Sequence, residues 1–268
     1  MESPIPELSG PERLAALRLQ IDWGADEALE DAPANRLRLA QPAALAAVAV
    51  LARPVTTGLT PAASGAAKAE QMAAAAGDLT ALRAAVAQFD DCALRDTASH
   101  LVFAEGDAAS GLLLIGDAPS ADEDRSGHPF AGDAGAWLDR MLASIGLSRA
   151  QALLSPLIPW RPPGDRPPSA TELAVCLPFL HRLIVLARPR HIVLLSALAA
   201  RVLLPGEKRR PPRGAWVELP VAGLAAPVPI LASVSLAAVM QNPARRREVW
   251  ADLRRLRRAL HPPERSEG

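Results

Sequence analysis

Four short apolar runs recur in the second half of this chain, at residues 112–115 (LLLI), 153–157 (LLSPL), 192–195 (IVLL) and 228–231 (VPIL). Each is too short for a helix and is followed by polar or proline-rich residues, so each reads as a buried strand. Helical patterns separate them. Ala134, Trp137, Leu138, Met141 and Leu142 share one face over 134–145. A helix over 169–186 starts at a Ser169 cap with Glu172 three residues on, and a shorter one covers 198–204. The last helix opens at Asn242-Pro243 and carries Val249, Leu253, Leu256 and Leu260 at spacings of 4, 3 and 4. Strand–helix alternation of this kind predicts an α/β fold, a three-layer α/β/α sandwich around a parallel sheet of about four strands. Ligands of such sheets sit beyond the carboxyl ends of the strands. Attention therefore falls on the loops GDAPSADEDRSGHPFAGDAG, SPLIPWRPPGDRPP, SALAAR and ASVSLAAVMQNP.

Composition limits what fills the layers. Half of the 268 residues are apolar, but aromatics are 3% and tyrosine is absent, so Ala, Leu and Val must build the core. The formal net charge of zero hides an asymmetry: residues 1–150 hold 21 Asp+Glu against 11 Lys+Arg, and residues 151–268 hold 8 against 18. A basic half suits a polyanion binder, and it equally suits neutralisation by the acidic half. Cys92 and Cys176 are too few and too far apart for a disulfide framework or a CxxC metal site. The first residues (MESPIPELSG) lack the features of a signal peptide, and no apolar run reads as a bilayer span. The expectation is a cytoplasmic protein with no membrane association. Before the sheet, the sequence predicts a helix after the Ser9–Glu12 capping pattern and an Ala/Pro-rich linker over 32–67. A second helix, capped by Asp78, carries Leu79, Leu82, Val86 and Phe89. The expected organisation is helices and linker over 1–90, a folded domain over 91–262 and a tail over 263–268.

Three segments bear a resemblance to a known family. GDAPSADEDRSGHPFAGDAGAWLDRML (116–142) resembles the GEAPG-x-x-E-[DE]-x-x-G-x-PF-x-G-x-AG-x-LL signature of family-4 uracil-DNA glycosylases. PWRPPGDRPPSATELAVCLPFL (159–180) resembles that family's proline-rich segment and following helix. PVPILASVSLAAVMQNPARRREVWADLRRL (227–256) resembles its last strand, HPA-x-LLRNP loop and final helix. DWGADEAL (22–29) is similar to an N-terminal segment of some bacterial members, and the collinear likeness runs from about residue 92 to 260. The resemblance implies a DNA-binding protein whose relatives flip uracil out of DNA and hydrolyse its N-glycosidic bond.

Position by position, the resemblance implies a base pocket formed by Gly116, Ala118, Phe130 and the residue at 156. Phe130 stands where the family stacks the base. Asp117 replaces the motif's Glu and is one methylene shorter; a strand-end Asp bonded to local backbone is the competing reading. Ser120 replaces a glycine. Pro156 stands where an Asn reads the uracil edge, and proline cannot do that. Ser235, followed by Leu236, replaces the His that stabilises the leaving anion; a plain helix cap is the favoured reading of Ser235. Of four cysteines that bind a 4Fe-4S cluster in the family, Cys92 and Cys176 match, while Phe89 and Trp160 stand in the other two places. Two thiolates cannot hold a cubane, so no cofactor is expected, with Cys92 and Cys176 buried near one another. Arg161 and Arg166 are candidate phosphate contacts, Met240 keeps an apolar wedge, and Gln241 replaces the arginine behind it. Lys208, Arg209, Arg210 and Arg213 add a basic loop. These changes predict a monomeric, degenerate relative with weak or no uracil excision that keeps a DNA- or partner-binding scaffold. The alternatives are an active glycosylase using Asp117 as its acid, and a nucleotide- or protein-binding module that does not act on DNA.

Overall fold

The computed structural model describes residues 61–204 and 214–261. The first expected helix, the linker up to residue 60, the segment 22–29, the basic loop at 208–213 and the tail at 263–268 lie outside the described residues.

The sheet is built from β1 (Glu105–Gly106), β2 (Leu112–Ile115), β3 (Leu153–Ser155), β4 (His191–Leu194), β5 (Trp216–Leu219) and β6 (Val228–Ala232). Their spatial order is β1-β3-β2-β4-β6-β5. The four strands read from the apolar runs, β3, β2, β4 and β6, pair in parallel as expected. The sheet is nevertheless mixed and six-stranded, because β1 and β5 add antiparallel edges. Neither edge carries an apolar run: β1 is two exposed residues, and β5 (WVEL) has no fully buried residue. Their strand character comes from pairing to β3 and β6, which sequence periodicity cannot report.

Helices cover both faces. Alternation along β2 sends Leu113 and Ile115 to one side and Leu112 and Leu114 to the other. The first side packs against α1 (Pro61–Ala75), α2 (Leu79–Gln88), α3 (Ala93–Thr97), α6 (Ala170–Ala187) and α7 (Ala197–Leu203). The second packs against α5 (Gly132–Ser144), α8 (Leu236–Gln241) and α9 (Arg246–Leu260). A short α4 (Ala121–Ser126) lies in the loop after β2. The expected caps form: Asp78 accepts the Ala81 N–H at 2.7 Å, and Ser169 and Glu172 make a reciprocal capping box.

One expectation changes. The linker expected up to residue 67 gives way to α1, whose Ala69 and Ala73 are buried in the same core as α6. Small side chains let α1 approach closely, and a Cβ on Gly65 would lie 3.3 Å from Val175. The Arg182 guanidinium closes the end of α1 by donating to the Ala76 carbonyl through Nε at 3.0 Å and Nη2 at 2.6 Å. By length and composition alone α6 is able to cross a membrane, at 18 residues and mean hydropathy 1.6. Its Val175, Phe179, Leu180, Leu183 and Ile184 are instead buried against the sheet and α1, the environment of a core helix.

Candidate active site

The strand ends are locked side by side by backbone bonds that continue past the sheet. Gly116 N–H donates to the Ser155 carbonyl at 2.9 Å, and Leu157 N–H to the Asp117 carbonyl at 3.1 Å. Leu195 N–H reaches Ile115 and Ser233 N–H reaches Leu194 in the same way. Asp117 and Ser196 therefore leave adjacent strands, and the Ser196 hydroxyl donates to the Asp117 carboxylate. The same hydroxyl accepts the Ala199 N–H at 2.9 Å as the cap of α7, which directs its proton toward Asp117. Asp117 is itself exposed, while its bond to Ser196 is partly buried. Burial pushes its pKa up, the Ser196 hydroxyl pulls it back, and the nearby Glu123 charge raises it again.

Phe130 is held by a purpose-built turn. Its φ is +53°, a left-handed conformation, and its ring closes over Gly116, where a Cβ would lie 2.9 Å from the ring. Glu123 secures that turn from one side by accepting the Phe130 N–H at 2.6 Å. The other oxygen of Glu123 accepts the Ser120 N–H at 2.8 Å, so Ser120 serves as the cap of α4. Arg149 holds the turn from the opposite side, donating to the Phe130 and Pro129 carbonyls at 3.0 and 3.3 Å while paired with Asp139. Gly135 is required here, since a Cβ would meet the Phe130 carbonyl oxygen at 1.8 Å. Sequence reading named Phe130 but missed Glu123, Arg149 and Ser196. The Ser120-x-x-Glu123 spacing was the available signal for the first.

The other named positions fall as follows. Ala118 is half-buried against the first core, and Pro156 is buried, lining a narrow cleft with Val102, Phe103 and Phe179. Ser235 caps α8, its hydroxyl accepting the Ala238 N–H at 3.3 Å. Asn242 caps the next turn through Ala244 N–H at 3.0 Å, leaving Met240 and Gln241 exposed between the two caps. Behind this loop the buried Ser233 hydroxyl donates to Asp252 at 2.8 Å, and Arg255 donates to the same carboxylate at 3.0 Å. Arg161 is paired with Asp165 at 2.8 Å, and Arg166 makes a two-pronged bridge to Glu172 at 2.6 and 2.8 Å. A phosphate would have to compete with these carboxylates for either arginine.

Cys92 and Cys176 are buried with their sulfurs 3.9 Å apart. The Cys176 thiol pulls Cys92 down to about 7, while that partnership and burial hold Cys176 up. Phe89 and Trp160 are buried in the same core, and Phe89 meets Phe179 edge-to-face at 5.2 Å between ring centroids. Among the described residues no three His, Cys, Asp or Glu side chains are grouped to hold a metal. The donor set thus does not fit a four-thiolate cluster: two thiols are present, and Phe89 and Trp160 in the same core offer no thiolate.

An α/β/α core thus carries a carboxylate, Asp117, and a clamped phenylalanine, Phe130, at its strand ends. The chain belongs to the uracil-DNA glycosylase superfamily, whose family model matches residues 103–254. Its curated relatives are type-4 uracil-DNA glycosylases. That of Pyrobaculum aerophilum is 32% identical over 181 residues, covering 66% of this chain and 91% of the relative. That of Saccharolobus solfataricus is 31% identical over 175 residues, covering 63% and 80%. That of Archaeoglobus fulgidus is 38% identical over 112 residues, covering 42% and 56%.

Proposed function

We propose that this protein engages DNA at the strand ends of a uracil-DNA glycosylase fold, with uracil excision weak or absent. The observation that carries this reading is Ser235. It stands where the resembling family has its histidine, and its hydroxyl is engaged as the cap of α8. A hydroxyl accepting a backbone N–H cannot supply the positive charge that a departing uracil anion needs, and losing one preorganised donor typically costs about a hundred- to a thousandfold in rate. Pro156 removes the edge-reading amide independently. The protein would work as a cytoplasmic monomer on DNA. The test is single-turnover incubation of excess protein with uracil-containing single- and double-stranded oligonucleotides, followed by cleavage of abasic sites. Little or no abasic product is expected, and rapid, near-complete conversion to abasic sites would overturn the reading.

One observation favours a second reading, an active glycosylase with altered chemistry. Asp117 is not idle at a turn but is oriented by the Ser196 hydroxyl from the neighbouring strand, with its pKa raised by burial. Under this reading Asp117 supports the attacking water or the cationic sugar. Asp117→Asn must then abolish any excision found on uracil or another damaged base. Unchanged excision in that variant would remove Asp117 from the mechanism.

A further inference from the structure

The flank formed by α5 and α9 carries an aromatic groove that the strand-end chemistry does not use. Met141, Val239 and Leu253 contribute to it, and Trp137 and Trp250 line it. Two guanidinium groups stack on Trp137, Arg140 at 4.5 Å and Arg246 at 4.7 Å from the ring centroid. Trp250 is 46% exposed and Met240 37% exposed, and among the described residues these are the exposed large apolar side chains. Both lie on the α8–α9 segment, and Val239, the chain neighbour of Met240, lines the groove.

The charge around the groove points to its occupant. Helix α9 (RREVWADLRRLRRAL) holds six arginines against two carboxylates, and one of those carboxylates, Asp252, is buried on Ser233 and Arg255. Among the described residues Arg255 is the only arginine of α9 in an ion pair. Arg246, Trp250 and Arg254 are spaced four apart and so fall along one side of the helix, over about 12 Å at 1.5 Å per residue. A flat aromatic platform between cations suits an unpaired base with a phosphate on either side. Every base offers a π-face, so such a platform needs no sequence match. An acidic peptide would satisfy the charges but has no equivalent reason to require an exposed indole between them.

We propose that this groove is a binding site for unpaired DNA strand, with a base stacked on Trp250 and backbone phosphates on Arg246 and Arg254. The site extends the DNA contact beyond the strand-end loops and rests on the DNA-binding reading above. Its consequence is a preference for single-stranded or locally opened DNA over intact duplex.

The test measures anisotropy of fluorescein-labelled, uracil-free oligonucleotides, single-stranded and duplex, across a salt series with the full-length chain. Trp250→Ala is expected to weaken single-strand binding by roughly five- to a hundredfold, and duplex binding less. Arg246→Gln and Arg254→Gln remove charge on an exposed surface and guard against misfolding of the tryptophan variant. Each is expected to lower the salt slope by about one. Arg83→Gln, an exposed arginine on α2, should change neither quantity. Single-strand affinity of Trp250→Ala within about twofold of the parent would overturn the site, as would equal losses in Arg83→Gln. Quenching of the tryptophans by polyglutamate peptide but not by DNA would replace the strand with an acidic protein partner. If the parent chain binds no DNA at any salt, both this site and the DNA-binding reading fall; if it binds and only the variants are silent, this site alone falls.

Discussion

Two regions of the molecule depart from the pattern of the resembling family, and they do so by different physics. Around Cys92 and Cys176 the departures are volume: Phe89 and Trp160 are buried, and the rings continue the core beneath α1, α2 and α6. At the strand ends the departures make hydrogen bonds: Ser120 and Ser235 cap α4 and α8, beside Ser196, which caps α7 and orients Asp117. Replacing ligands by packing makes a region depend on shape, and a core forgives little loss of volume. A serine that caps a helix holds a loop's path at small energetic stake per residue.

That contrast predicts an order of effects. Phe89→Ala or Trp160→Ala should lower unfolding free energy by about 3–5 kcal/mol in denaturant titration, the usual range for emptying a packed aromatic site. A loss under about 1 kcal/mol would mean the region is not close-packed and the comparison fails there. Ser233→Ala leaves the buried Asp252 with one donor fewer and should cost about 1–3 kcal/mol. Ser235→Ala should cost about 1 kcal/mol, and Ser235→Asn, another good cap, should recover most of it. If Ser235→Ala is neutral in stability but alters excision, the serine is chemical rather than architectural.

The smallest effect concerns pH. The Arg166 guanidinium beside Glu172 holds its carboxyl down at about 2, against an ordinary 4.5, with help from the Ser169 N–H and hydroxyl. A carboxyl lowered on folding contributes stability that is fully present above its unfolded value and is lost as pH falls through the folded one. Stability should therefore decline between about pH 4.5 and 2, and Glu172→Gln should flatten that limb in a pH series of thermal melts. An unchanged limb would show that the bridge contributes nothing beyond the cap.

Much of this was legible in the chain, and the omissions have a common cause. The four parallel strands could be read because both faces of each are buried, which writes a continuous apolar run. The edges β1 and β5 could not, since one-sided pairing leaves no such run. Helix α1 was hidden for a related reason: its buried face is alanine, which reads as linker when Pro, Ser and Gly surround it. Phe130, Asp117 and Ser235 were visible as motif positions. Their partners were not, because Ser196 lies 79 residues from Asp117 and Arg149 lies 19 from Phe130.

The sequence by itself determined the α/β class, the order of the central strands' loops, the superfamily likeness and the residue types at each working position. Local periodicity and motif spacing carry that information along the chain. The tertiary structure alone decided what those residues do: which serine caps a helix, which hydroxyl turns to Asp117, which arginines are already paired, and which tryptophan remains open beside them. Those outcomes depend on groups brought together across the sheet, where competition for a single proton or carboxylate is settled by distance and burial rather than by sequence neighbours.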